Sequence, residues 1–348
     1  VRAARRRARR VVDVELTDAC NNRCLHCYNP WRHSSTARPG PARRPLTPAA
    51  IADVLKRIDR EVGLTSVALT GGEPTLRSDF PAILAALTDA GFQTIVITNG
   101  TRLTPSLLRR LPSGLTFEVT LFSHRARVHD ALAGRPVFEE VTSNILALER
   151  HGSSCVVAFV ATAQNALDVY RTAELALALG AAGFMYNRVN VGAGMRGREQ
   201  SLVPPAETLR NSLLLVQEAV RNLRFPVACS IPVPPCVVDH APFADLRFNW
   251  CPRGGPDAYY TVGSTGLLRP CNHSSLVIGD ILKSGFRELV ESAPVREFWA
   301  AEPAECAGCV HPLKERCAGG CRAAAAEYYG TPNRWDPLCE LAGRPAAT

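Results

Sequence analysis

The sequence predicts an α/β protein: a partial (β/α)6 TIM-like barrel followed by a smaller, cysteine-rich C-terminal domain. Two observations carry this. Short β-branched runs alternate with longer helical patterns six times before residue 225, the signature of parallel strands joined by crossover helices. Beyond residue 225 the alternation stops, first in a proline-rich stretch (Pro226, Pro232, Pro234, Pro235, Pro242) and then in a segment holding seven of the 13 cysteines. With 348 residues, 46% apolar and 21% charged, the chain can bury a sizeable core, and disorder, collagen and a coiled coil are excluded.

In order along the chain, strands are expected at residues 11–16, 66–70, 93–98, 116–122, 155–161 and 184–191, each short and mostly apolar as buried parallel strands are. Helices are expected at 48–62, 79–90, 105–111, 137–151, 166–179 and 205–223, several opened by a Thr, Ser or Asp cap or an early proline. Gly91 and Gly180 stop two of them. The organisation that follows is a basic arm at 1–10, the barrel at 11–225, a proline-rich linker at 226–250 and the cysteine-rich domain at 251–348, the last expected to owe its fold to metal. In such a barrel reactive groups gather on loops at the C-terminal ends of the strands. No internal repeat signals a solenoid.

Charge is placed locally. Residues 1–50 hold 11 arginines and 3 acids, whereas the remainder holds 29 basic and 29 acidic residues. The arginines of the 1–10 arm would suit nucleic acid or acidic lipid but read more simply as a solvated tail, and are assigned no function. Only a short segment with two acids follows the arm, which is no signal-peptide core, and no apolar run of about 18 residues could span a bilayer. The expected compartment is the cytoplasm, with no membrane partner and no nucleic acid.

Thirteen cysteines in a reduced chain point to metal binding or redox chemistry rather than disulfides. Three fall in residues 20–27, three at Cys155, Cys229 and Cys236, and seven between 251 and 339, so two tasks are implied. Cys155 lies in an expected buried strand and reads as a small core residue. The first strand runs into Cys20-Asn21-Asn22-Arg23-Cys24-Leu25-His26-Cys27, a C-x3-C-x2-C loop able to hold three corners of one metal centre. Structural zinc closes with four ligands, whereas a cubane iron–sulfur cluster takes thiolates and here would keep one iron open. A zinc loop completed by His26 or His33 is the alternative.

That loop, together with Gly71-Gly72-Glu73-Pro74 after the second strand, resembles the radical S-adenosylmethionine (SAM) superfamily. The resemblance implies a 4Fe–4S cluster on Cys20, Cys24 and Cys27, with the open iron chelated by the amine and carboxylate of SAM and the turn at Gly71, Gly72, Glu73 and Pro74 receiving the amine. Gly71 and Gly72 would let backbone approach the ligand, and Glu73 would set negative charge against the ammonium. Asn99, in Thr98-Asn99-Gly100, resembles the ribose-side contact. Residues 116–134, with His129, Asp130 and Gly134, resemble the fourth-strand segment. Thr120 stands where many relatives carry Ser, and the acid often found two residues later is Phe122. His26 occupies the position whose side chain packs near adenine, or donates to the cluster. Asn187-Arg188 and Val191-Gly192-Ala193-Gly194 resemble the last cofactor loop. No catalytic base is assigned.

The late cysteines run Cys251-x14-Gly266-x4-Cys271, Cys306-x2-Cys309-x7-Cys317-x3-Cys321, then Cys339, which resembles the SPASM extension of a subset of these enzymes, with the loop after Cys309 two residues longer than usual. It implies two auxiliary iron–sulfur clusters: one on Cys306, Cys309, Cys317 and Cys339, the other on Cys251, Cys271 and Cys321. The fourth ligand of the second would come from Cys236, Cys229 or a group such as His273 or Asp257, or be missing. A zinc ribbon on Cys306, Cys309, Cys317 and Cys321 is the alternative.

The implied activity is reductive cleavage of SAM to a 5′-deoxyadenosyl radical, with flavodoxin or ferredoxin as electron donor, and oxidative crosslinking or dehydrogenation of a ribosomally made peptide. In sulfatase-maturating relatives an Asp base directly follows the position of Cys271; Asn272 here counts against that reaction. About ten residues precede the first strand, so a peptide is expected to bind directly or on a separate leader-binding protein. A small metabolite is the other substrate class. The rival from another class, a zinc-stabilised nucleic-acid-binding protein, leaves the C-x3-C-x2-C triad, the Gly-Gly-Glu-Pro turn and the six βα units without explanation.

Overall fold

The computed structural model describes residues 10–30, 44–254 and 258–343. The basic arm before Arg10, His33 and Asp257 therefore lie outside the described residues. One ten-stranded sheet organises the rest, in the order β10-β9-β8-β1-β2-β3-β4-β5-β6-β7. Its centre is the expected parallel set: β1 (Val11–Glu15), β2 (Ser66–Thr70), β3 (Thr94–Thr98), β4 (Thr116–Thr120), β5 (Ser154–Ala161) and β6 (Gly183–Arg188). Pairing Glu15 with Thr70, Thr98 with Val119, Thr120 with Ala158 and Ala161 with Arg188 aligns the strand ends on one rim. This is the α/β partial barrel read from the sequence.

The crossover helices are α1 (Pro48–Val62), α2 (Phe80–Asp89), α3 (Pro105–Leu108), α4 (Ala126–Ala133), α5 (Phe138–Arg150), α6 (Val169–Ala178) and α7 (Ala206–Leu223). α1 forms as its sequence dictates. Thr47 caps it by accepting from Ala50 N at 3.3 Å, Pro48 opens it, Ile51, Val54, Leu55 and Ile58 bury one face, and left-handed Gly63 ends it. Along β4, Phe117 and Val119 are buried while Thr116, Glu118 and Thr120 are half-buried, the period of a strand with two different faces. β1 likewise sends Val12 and Val14 one way and Asp13 and Glu15 the other.

The structure departs from expectation at three places. β4 ends at Thr120 rather than 122, because Phe122 gives its N–H to His129 Nδ1 and its carbonyl to the Asn165 amide instead of to a neighbouring strand. α4 was not expected; it is too short to show a helical period, and Asp130 within it accepts from Val137 N and Phe138 N, both at 2.8 Å, to start α5. The sheet also continues past residue 225: β7 (Val227–Cys229) pairs with β6, and β8 (Thr261–Val262) lies parallel to β1, carrying β9 (Leu267–Arg269) and β10 (Gly279–Asp280) antiparallel beside it. These strands are two or three residues long and carry no periodic signal. Among the described residues no helix is long and apolar enough to cross a membrane.

Candidate metal centre and cofactor site

Past β1 the chain crosses the C-terminal rim as the cysteine loop, in which Cys20, Cys24 and Cys27 are each half-buried. The turn after β2 supports it on one side: Gly72 N donates to Thr17 O at 2.7 Å and Glu73 N to Ala19 O at 2.8 Å. A Cβ on Gly71, whose φ is +136°, would lie 2.4 Å from Thr17 O, and one on Gly72 would lie 2.2 Å from Ala19 O. Both glycines are thus required by the cysteine loop itself, where the sequence suggested a ligand. The end of α4 supports the other side. Arg23 N and Leu25 N donate to Ala133 O and Leu132 O at 3.0 Å, and Arg135 Nη1 donates to Asn21 O at 2.8 Å.

Glu73 is fully buried. Its Oε1 accepts from Thr75 N at 3.1 Å, Thr75 Oγ1 at 2.6 Å and Thr98 Oγ1 at 2.7 Å, and its Oε2 accepts from Asn99 N at 2.8 Å. Burial raises its pKa, against the pull of those hydrogen bonds. The carboxylate therefore anchors the turn to β3, and Pro74 continues the turn as a buried 3-10 residue. The Asn99 amide donates to Cys20 Sγ at 3.7 Å and to Asn21 Oδ1 at 2.9 Å, so it lies against the cysteine loop.

Thr120 stands half-buried at the end of β4. His26 is buried with its ring edge-on to Phe122, centroids 4.7 Å apart, and its Nδ1 finds no hydrogen-bond partner among the described residues; burial lowers its pKa to about 4. His129 is lowered to about 4 by burial as well, and its Nδ1 accepts from Phe122 N at 3.1 Å, which requires the neutral ring. Because its folded pKa lies below the ordinary 6.5, the stability it confers is complete above that pH and is lost as pH falls toward about 4. Urea midpoints of the wild type are expected to fall across that window, and His129→Asn should flatten the slope. At the next rim positions, Asn187 Oδ1 accepts from Ile231 N at 3.3 Å, and Gly192 packs against the Tyr28 backbone.

The barrel interior below this rim is acidic. Asp13 is pushed up to about 8, first by burial and then by Glu15 and Glu118, and burial pushes Glu118 up to about 7. Glu15 is paired with Arg269, which arrives from β9. His273, beyond that strand, sets its ring 4.6 Å from Tyr28, the residue after Cys27.

The later cysteines separate into two groups. Cys321 is near enough to raise the pKa values of both Cys251 and Cys271, and Cys251 that of Cys271, though burial contributes most, taking Cys251 to about 11. The second group lines a cavity of about 470 Å³: Cys306, Cys309, Cys317, Cys339 and also Cys236, whose Sγ lies 3.7 Å from Cys339 Sγ. Cys236 thus stands with the distal group and not with Cys251. Cys229 is buried at the end of β7 beside Tyr186. Among the described residues no three His, Cys, Asp or Glu side chains close on a point suited to a single metal ion, as a tetrahedral zinc site would require.

Residues 14–176 match the radical SAM superfamily. The chain carries a radical SAM domain. It is 28% identical over 352 residues to the AdoMet-dependent heme synthase of Methanosarcina barkeri, covering 95% of this chain and 96% of that protein. It is also 28% identical over 348 residues to the PqqA peptide cyclase of Methylocella silvestris, covering 94% and 86%. Its fold is shared with Streptococcus suis SuiB, solved with S-adenosylmethionine (TM-score 0.72, 16% identity, 95% of this chain and 77% of that one). It is shared too with anSMEcpe, solved with AdoMet and the Cp18Cys peptide (TM-score 0.68, 16% identity, 95% and 94%).

In and around the radical SAM domain, sequence reasoning brought together the cysteine loop, the 71–74 turn and Asn99. It identified neither the hydroxyls of Thr75 and Thr98 that hold Glu73 nor the part played by Arg188. That guanidinium is fully buried, ion-paired with equally buried Asp336, and donates to Asn190 Oδ1 at 2.8 Å and Pro232 O at 3.0 Å. Asp336 Oδ2 in turn accepts from Cys321 N at 3.0 Å, Cys339 N donates to Asp336 O at 2.9 Å, and the Asn190 amide donates to Cys321 Sγ at 3.7 Å. No local pattern marks a pair of residues so far apart in the chain.

Proposed function

We propose that the chain is a radical SAM/SPASM oxidoreductase that oxidatively modifies a ribosomally synthesised peptide. The observation that carries this reading is the docking of the Cys20–Cys27 loop onto the Gly-Gly-Glu-Pro turn at the rim of the radical SAM domain. Three soft thiol donors on one loop fit a cluster with one open corner. Cys20, Cys24 and Cys27 would hold it, and the backbone of the 71–74 turn would receive the cofactor's amine. When bound and reduced, a 4Fe–4S cluster supplies one electron that cleaves SAM to a 5′-deoxyadenosyl radical, which takes hydrogen from an unactivated carbon.

Around that chemistry the residues position and insulate. The Asn99 amide would donate to the Cys20 thiolate, and His26 with Phe122 would form an apolar wall for adenine. Cys251, Cys271 and Cys321, and separately the distal group, would hold two auxiliary clusters. Burial raises the pKa of the free thiols of Cys251, Cys271, Cys306, Cys317 and Cys321, so cluster binding there must displace protons. Peptide substrates are supported by the PqqA peptide cyclase relative and by the shared fold of SuiB and anSMEcpe. A second reading, oxidation of a small metabolite, is favoured by the heme synthase relative, which aligns over nearly its whole length.

Anaerobic protein given dithionite, SAM and a short precursor peptide, sought among the reading frames beside its gene, should release 5′-deoxyadenosine and yield a peptide lighter by two hydrogens. Turnover of a heme precursor with no peptide turnover would move the assignment to the second reading, and a colourless, zinc-only protein would overturn both. Gly72→Ala should lower 5′-deoxyadenosine release at least tenfold with the circular dichroism unchanged, because the added Cβ drives the cysteine loop off its turn. Cys309→Ala should still cleave SAM abortively but give no product.

A further inference from the structure

Five thiols face the distal cavity, one more than a cubane has corners. Cys306, Cys309, Cys317 and Cys339 were expected there; Cys236 was not. It reaches the cavity from the loop after β7, where Val237 N and Val238 N both donate to Pro234 O and fix the turn that carries it. Of the other four thiols it is within electrostatic range of Cys306, Cys317 and Cys339.

Its distance from Cys339 is the informative quantity. Thiolates bound to different irons of one cube radiate away from its centre and stand well apart. Two sulfurs in contact at 3.7 Å cannot both occupy separate corners in this arrangement. Cys339 is itself held in place from behind, through the Asp336–Arg188 ion pair and the bond from Cys339 N to Asp336 O. The backbones that carry the two thiols are thus both fixed, and the sulfurs meet at the wall of the same cavity.

We propose that Cys236 and Cys339 are alternative ligands to one and the same corner of the distal cluster. This rests on the reading that the chain carries auxiliary clusters. Either thiolate completes the four-thiolate set with Cys306, Cys309 and Cys317, and the proton of the bound thiol is released while the other thiol keeps its own. The corner therefore tolerates loss of either sulfur, unlike the corner held by Cys306.

The test uses the full chain, purified without oxygen, with iron and acid-labile sulfide counted per chain and the dithionite-reduced protein examined by electron paramagnetic resonance. Wild type should hold about twelve irons, as three cubanes require. Cys236→Ala and Cys339→Ala should each keep about twelve, Cys339→Ala with altered g-values for one cluster, while the double variant and Cys306→Ala fall to about eight. Abortive 5′-deoxyadenosine release by the double variant shows that it folds. A fall to about eight in either single variant, or about twelve in the double variant, would overturn the shared corner while leaving the three-cluster reading intact. About four irons in wild type would instead overturn that parent reading, and this proposal with it.

Discussion

Cys24→Ala is expected to reduce 5′-deoxyadenosine release under dithionite to the level without enzyme. Cys24 is the middle thiol of a loop whose backbone is bonded at Arg23 and Leu25 to the end of α4, so no neighbouring sulfur can slide into its place. With two thiolates the open-cornered cluster is not held, and SAM has no iron to chelate. The other thiols should still bind their share of iron, so the iron count should fall by about a third, from about twelve. Chromatographic detection of 5′-deoxyadenosine, with iron measured on the same sample, checks both. Wild-type release from this variant would remove the assignment of the loop.

The second large effect is expected at Arg188. Arg188→Met leaves Asp336 as an unpaired charge in a site with no exposure, and breaking a buried pair on one side destabilises by about 3–5 kcal/mol. The consequence is also local. Asp336 positions Cys321 and Cys339, one from each late cysteine group, and because Cys236 can stand in for Cys339, the variant should lose iron from the site of Cys251, Cys271 and Cys321 while retaining the distal iron, the first cluster and abortive SAM cleavage. Urea unfolding of the anaerobic protein reads the stability, and iron analysis reads the sites. Arg188→Met with Asp336→Leu should recover much of the stability but not the iron. Equal iron in the single variant and the wild type would show that the ion pair does not position these thiols.

How much of this was legible depended on whether the cause was local. The six central strands were readable because each is a β-branched run bounded by turn or cap residues, and α1 because Thr47, Pro48 and Gly63 mark its ends. The cysteine loop and the Gly-Gly-Glu-Pro turn were readable from spacing alone. Their mutual contact was not: the need for glycine at 71 and 72 comes from backbone at 17–19, more than fifty positions earlier. The anchoring of Glu73 by the hydroxyls of Thr75 and Thr98 was not legible either, since Thr98 lies on another strand. For the same reason Cys236 was one of several candidates offered beside Cys251, whereas it lies against Cys339. Its neighbours are decided by where the loop after β7 travels, and nothing in the proline-rich stretch encodes that path.

The seam between β1 and β8 decides how the molecule can be divided. β1 is the strand that launches the cysteine loop, yet its outer edge is covered only by residues from the far end of the polypeptide, and the acid on its inner face, Glu15, is neutralised by Arg269 from that same hairpin. Excising everything after residue 250 would strip the hydrogen-bonding flank from the founding strand and leave Glu15 buried beside Asp13 without its guanidinium. The strand that launches the cysteine loop is completed by residues 261–269 of the same chain.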